Sequence, residues 1–142
     1  MSEAAIKALF DVLIKPRWAD QDSMGHINNV QYFRYLEEAR VDWLAQSGFG
    51  MGEGANNFGL IMAAVGLNFR REWHHGHLLR AKAWVLHIGN SSFSLRQCLY
   101  SEDGSELVAD GESTLVCVDG AHRPVPLSES ARAHLQAHLL AV

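Results

Sequence analysis

Residues 17–40 read RWADQDSMGHINNVQYFRYLEEAR, and this stretch decides the fold. Its second half carries a helical period. Phe33, Leu36, Val41 and Leu44 fall at helical spacing, and Tyr32, Tyr35, Ala39 and Trp43 widen the apolar stripe. The pattern predicts a helix over 30–46, with Asn28 or Asn29 able to cap its start and Gly48 able to end it. Arg34 and Glu38 form an i,i+4 pair on its polar side. So wide a stripe suits a helix wrapped by a sheet, not one laid on a sheet's edge.

Outward from the helix the period changes to two. Before it, residues 10–18 alternate weakly and read as a first strand. After a Gly-rich loop over 48–59, Ile61, Ala63, Val65, Leu67 and Phe69 read as one face of a strand. Leu79, Ala81, Ala83 and Val85 form a second set opposite Arg80, Lys82 and Trp84. Phe93, Leu95 and Leu99 form a third, and Val108, Thr114, Val116 and Val118 a fourth. Gly89-Asn90 and Asp103-Gly104 separate these runs, and Asp-Gly favours a two-residue hairpin. The last three strands therefore read as an antiparallel meander, and the small Ala81 and Ala83 leave room for a helix to approach. A short polar helix closes the chain. One long helix with one antiparallel sheet is an α+β architecture.

The chain has 142 residues, 48% of them apolar and 20% charged, which suits one domain spanning 1–142 with a core that needs no staples. A net charge of −4 without a long basic run argues against nucleic-acid binding. The longest apolar stretch, 59–67, is far shorter than a bilayer span, so no membrane insertion is expected. The N-terminus lacks the pattern of a secretory signal, and cytoplasmic localisation is the expectation. Cys98 and Cys117 lie in strand-like runs without metal-ligand spacing and read as reduced core thiols. His74, His75 and His77 sit in one turn, no acidic or cysteine side chain is read as completing a ligand set with them, and no metal is expected.

The chemistry lies in the first half of the opening stretch. Asp20 and Asp22 occupy a polar turn that runs into the helix start. A helix start offers free backbone N–H groups and a partial positive charge. A carboxylate and an oxyanion-stabilising helix end within a few residues make a minimal site for acyl transfer. An Asp before a helix is more often only a cap or turn residue, and the residues alone leave both readings open.

A resemblance separates them. Asp20, Asp22 and Gly25, followed by Tyr32, Phe33, Tyr35, Glu37, Glu38, Ala39 and Arg40, resemble the signature of the 4-hydroxybenzoyl-CoA thioesterase-like branch of the hotdog superfamily. The form GHINN over 25–29 resembles the subgroup of long-chain acyl-CoA thioesterases. Residues 88–92 and 123–126 continue the likeness weakly. The resemblance implies a hotdog fold, in which a long antiparallel sheet wraps one central helix, and hydrolysis of an acyl-CoA thioester without a cofactor. It implies Asp22 as the catalytic carboxylate, the backbone N–H of Asn29 as oxyanion donor, and Gly25 as part of the turn. His26, Asn28 and Tyr32 become candidate substrate contacts, His26 and Asn28 with competing roles in shaping the turn. Coenzyme A phosphates would call for basic partners. Arg70, Arg71, Arg80, Lys82, Arg96 and Arg123 are candidates, with Arg71, Arg80 and Lys82 singled out. Hotdog sheets pair edge to edge, so a homodimer or homotetramer is implied. Two other functions stay in view: a hotdog dehydratase pairing His26 with Asp22, and a catalytically silent acyl-CoA sensor.

Overall fold

The computed structural model describes residues 6–47 and 59–140. Five strands and two helices follow in the order β1 (Phe10–Ile14), α1 (Asn29–Ser47), β2 (Gly59–Phe69), β3 (Leu79–Ile88), β4 (Ser92–Ser101), β5 (Leu107–Val118) and α2 (Glu129–Gln136). All pairings are antiparallel, and the sheet order is β1-β3-β4-β5-β2. This is the expected α+β hotdog arrangement, with α1 as the central helix. Among the described residues, no helix is long and apolar enough to cross a membrane.

The sheet's inner face is set by alternation. Leu79, Ala81, Ala83 and Val85 on β3, and Phe93, Leu95 and Leu99 on β4, are fully buried, as their period predicts. Tyr32, Tyr35, Leu36, Ala39 and Trp43 of α1 pack on the same core. The helix is one residue longer at each end than its sequence period suggests. Gly48, its expected stop, lies outside the described residues. Both cysteines are buried and neither is in a disulfide, and burial pushes the Cys117 thiol up to about 11.

Three local expectations are corrected. The first strand ends at Ile14, and Trp18–Asp20 form a short 3-10 turn instead of continuing it. The Asp103-Gly104 turn is wider than a two-residue hairpin. Asp103 accepts hydrogen bonds from the Ser105 backbone N–H and the Ser101 and Ser105 hydroxyls, and these hold its carboxyl down to about 2. The single apolar face of β2 is broken by a bulge between Met62 and Ala64. A one-residue insertion exchanges the faces of a strand. Leu60 and Met62 thus meet the core before the bulge and Leu67 after it, while Ile61 stays 41% exposed. On β5 the inward set includes Ala109, Leu115 and Cys117, although Val108 and Val118 are also buried.

Gly111 shows how closely β2 and β5 approach. A Cβ built there would lie 1.9 Å from the Gly66 carbonyl oxygen, so only glycine fits without moving the strand.

Candidate active site

The turn between β1 and α1 is a small hairpin of its own. Gln21 and Ile27 form an antiparallel bridge, the Asp22 N–H donates to the His26 carbonyl at 2.8 Å, and the Gly25 N–H donates to the Asp22 carbonyl at 3.1 Å. Gly25 closes it at φ 80°, a left-handed conformation that side chains rarely adopt. No atom lies within 4 Å of where its Cβ would sit, so the requirement is conformational and not one of space.

The two aspartates have opposite surroundings. Asp20 is 2% exposed. Its carboxylate accepts the Tyr35 hydroxyl at 2.6 Å, the Arg17 N–H at 3.0 Å and the Arg17 guanidinium at 3.0 Å. Burial alone would raise its pKa, but the hydrogen bonds from Tyr35 and Arg17 outweigh burial and hold the carboxyl below its usual range. The bond to Tyr35 of α1 and the bonds to Arg17 make Asp20 an anchor of the turn to the helix. Asp22 is exposed. Its Oδ1 accepts the backbone N–H groups of Met24 at 2.9 Å and His26 at 3.2 Å, which fixes the carboxylate plane. Its Oδ2 makes no hydrogen bond among the described residues and remains available to a ligand.

The helix start lies beside this carboxylate in the chain. Asn28 caps it: its Oδ1 accepts the Val30 N–H at 3.0 Å, and its carbonyl accepts the Gln31 N–H at 2.9 Å. Asn29 is the first helical residue. No acidic side chain occupies the first turn of α1, so its partial positive charge is uncompensated by the helix itself. Asn28 is thereby committed to the backbone, and Asn29 presents the helix-start amide.

The remaining candidates divide by their partners. Tyr32 is 1% exposed, donates its hydroxyl to the Arg71 carbonyl at 3.2 Å and packs on Phe69 with ring centroids 5.6 Å apart. Burial, aided by the Glu72 charge, pushes its pKa up to about 12. It lies within the core beneath the site. Arg80 donates to Asp11 and to the Glu102 carbonyl, both at 2.8 Å, and Lys82 reaches Asp11 at 3.8 Å, so both tie β3 to β1. A cleft of about 820 Å³ beside Arg80 is also lined by Glu102, Asp103 and Glu106, a poor setting for phosphate. Arg70 and Arg96 converge on Asp110 at 2.9 and 3.4 Å. Arg71 is 55% exposed and only loosely paired, 3.7 Å from Glu106.

His26 has a partner that sequence order hides. Its Nε2 lies 3.2 Å from Glu72, and its ring meets His74 edge-on at 5.0 Å. His74 Nδ1 is 3.3 Å from the Gly25 carbonyl. One ligand atom from each of His26, Glu72 and His74 falls within 4.8 Å of the others, a set of the type that can hold a cation. Glu72, two residues before His74, is the carboxylate that the sequence reading of the histidine run overlooked, and the fold adds His26 from the turn before α1.

Comparisons with known proteins agree with this fold. Residues 16–135 match the model of the thioesterase-like superfamily. The long-chain acyl-CoA thioesterase FadM of Escherichia coli (strain K12) is 32% identical over 106 residues, covering 75% of this chain and 80% of that protein. The 1,4-dihydroxy-2-naphthoyl-CoA hydrolase of Thermosynechococcus vestitus is 30% identical over 114 residues, covering 77% of each. Among solved structures, a thioesterase of Thermus thermophilus complexed with coenzyme A and zinc superposes with a TM-score of 0.76 at 26% identity, covering 92% of this chain and 94% of that one. The helix wrapped by a sheet, the turn that feeds its start and a family match spanning both lead to one assignment: this chain belongs to the thioesterase-like superfamily.

Proposed function

We propose that this enzyme hydrolyses the thioester bond of an acyl-coenzyme A, with Asp22 as the carboxylate that acts and the Asn29 backbone N–H as oxyanion donor. One observation carries the reading. Asp22 is held by two backbone N–H groups on one oxygen and is open on the other, in the turn that feeds an uncompensated helix start. The names of the two relatives, both coenzyme A thioester hydrolases, support the substrate class.

The chemistry is within reach of so few groups. A coenzyme A thiol resembles a cysteine thiol, with a pKa of about 8.5, and leaves at neutral pH with little acid assistance. The barrier lies in the tetrahedral oxyanion, and one well-aimed donor contributes about 3 kcal/mol there. Asp22 then either attacks the carbonyl or takes a proton from the attacking water. His26 and Gly25 shape the turn, and His26, in the same turn as Asp22, is read as a substrate contact. Tyr32 supports the helix start from below. Arg71, exposed and loosely paired, is the retained phosphate contact.

Two features bear on assembly and on the dehydratase alternative. The edge strand β2 has eleven residues and exposes Ile61, Val65 and Phe69, an edge that a second copy would cover. We therefore read the working enzyme as a homodimer or a homotetramer. A dehydratase would pair a histidine with the catalytic carboxylate, but the His26 ring turns to Glu72 instead of Asp22.

The test is thiol release from a panel of acyl-CoAs, followed by a thiol-reactive dye. Release that depends on Asp22 upholds the reading. Tight binding without release would make the protein a sensor, and loss of enoyl absorbance would make it a hydratase-type enzyme.

A further inference from the structure

The segment that leaves β2 meets the turn that carries Asp22, and one backbone bond fixes how they meet. The Ile27 N–H donates to the Trp73 carbonyl at 2.7 Å. Ile27 is 2% exposed, so the joint is anchored in the core. His26 precedes Ile27, while Glu72 and His74 flank Trp73. The joint therefore sets three side chains from two distant segments beside one another. His26 Nε2 lies 3.2 Å from the Glu72 carboxylate, the His26 and His74 rings meet edge-on at 5.0 Å, and His74 Nδ1 is 3.3 Å from the Gly25 carbonyl. One donor atom from each of the three residues falls within 4.8 Å of the other two. Among the described residues, no other trio of His, Cys, Asp or Glu side chains gathers in this way.

A salt bridge between His26 and Glu72 would use only two of these three groups, whereas a bound cation uses all of them. Two imidazoles and one carboxylate are the donor set of a three-ligand zinc site, whose fourth position is taken by water or another ligand. Magnesium and calcium take oxygen donors and make little use of imidazole. Donors held about 2.0–2.2 Å from a tetrahedral zinc stand about 3.4 Å apart. His26 and Glu72 already have that spacing, and the exposed side chains of Glu72 and His74 can rotate to close the rest. The trio faces solvent, with the Glu72 side chain 70% and the His26 side chain 29% exposed, so an ion enters without opening the fold.

We propose that His26, Glu72 and His74 bind one divalent metal ion of the zinc type, and that the ion clasps the Asp22 turn to the segment that follows β2. The site departs from the expectation drawn from the histidine run alone, and it does not depend on the hydrolysis reading. The clasp reaches Asp22 through the backbone. The Asp22 N–H donates to the His26 carbonyl at 2.8 Å, and Asp22 Oδ1 accepts the His26 N–H at 3.2 Å. Fixing the His26 side chain thus fixes a residue that orients the Asp22 carboxylate. The ion positions the turn, and no step of hydrolysis runs through it.

The test titrates the full, chelator-stripped chain with zinc chloride in the absence of any acyl-CoA, in wild type, Glu72→Gln, His74→Ala and His75→Ala. The three substituted side chains are exposed, so the variants should keep the metal-free melting temperature of wild type. We expect wild type to take up one Zn2+ per chain, and Co2+ in its place to show the visible absorption of a four-coordinate ion. Glu72→Gln and His74→Ala should each weaken uptake by at least about tenfold, and His75→Ala should leave it unchanged. Zinc should raise the melting temperature of wild type and slow amide exchange over residues 22–28, and should do neither in His74→Ala. Uptake that survives Glu72→Gln and His74→Ala overturns the site, as does absence of stoichiometric uptake in wild type. An equal loss in His75→Ala, or equal competition by Mg2+, overturns the assigned ligands. Uptake that leaves amide exchange over 22–28 unchanged overturns the clasp.

Discussion

The Tyr35 hydroxyl donates a 2.6 Å hydrogen bond to the Asp20 carboxylate and thereby fastens the turn carrying Asp22 to the second turn of α1. The pair is buried, and each group shifts the other. Burial and the Asp20 charge raise the Tyr35 pKa well above its ordinary value, while the Tyr35 and Arg17 hydrogen bonds keep the Asp20 carboxyl low. Asp22, the carboxylate proposed to act, is exposed, while its neighbour Asp20 two residues earlier is locked inside.

This pair predicts an acid-sensitive fold. Asp20 has a depressed folded pKa, so its contribution is fully present above the unfolded value of about 3.9 and is lost as pH falls through the lower folded value. Hydrogen bonds to a buried charged group contribute about 1.5–3 kcal/mol, and the Arg17 side chain that shares the carboxylate is 70% exposed. Asp20→Asn should therefore lower stability by about that order at pH 7. The gap between wild type and variant should narrow as pH drops below about 4. Denaturant melts at several pH values check this; a gap independent of pH would show that the carboxylate charge does not matter.

Asp22 and Asp20 should separate kinetically. Asp22→Asn removes the open anion and keeps its size, and general-base contributions run from about 100-fold to 10,000-fold. We expect at least about 100-fold loss of turnover, with folding and acyl-CoA affinity retained. Asp20→Asn should lose much less turnover in the fraction that remains folded. The reverse ranking in a thiol-release assay would reassign the carboxylate.

Gly25→Val should slow turnover more than it lowers the melting temperature. The position needs φ 80° and has free space around it, so the cost is conformational and confined to the turn. Any relaxation of the turn moves Oδ1 of Asp22 away from the Met24 and His26 N–H groups that orient it. Turnover within about twofold of wild type would remove this turn from the site.

The exposed β2 edge predicts self-association. Sedimentation at micromolar concentration should give two or four chain masses, and specific activity should fall on dilution if the site is shared between copies. A single-chain mass with full specific activity would make the lone subunit the working unit.

The sequence by itself determined the long helix, the inward faces of β3 and β4 and the turn with its two aspartates. Each is a local pattern: a period of 3.6 or 2, or a Gly and capping Asn within a few positions. The roles of Asp20 and Asp22 could be told apart by resemblance alone, since their chemistry is the same. Only the tertiary structure brings Tyr35 to Asp20 and Glu72 to His26, and only there are Arg80 and Lys82 seen to be taken up by Asp11. The Met62–Ala64 bulge reverses the face of β2 without a Gly or Pro at that step to announce it. Gln97 appears in sequence as one polar residue in an alternating strand. Its buried amide nitrogen, without a partner, sits beside Ala83 and Gly111, which strand register brings alongside. Periodicity records which way a side chain points, whereas the partners it meets are fixed by register and close packing between segments distant in the chain.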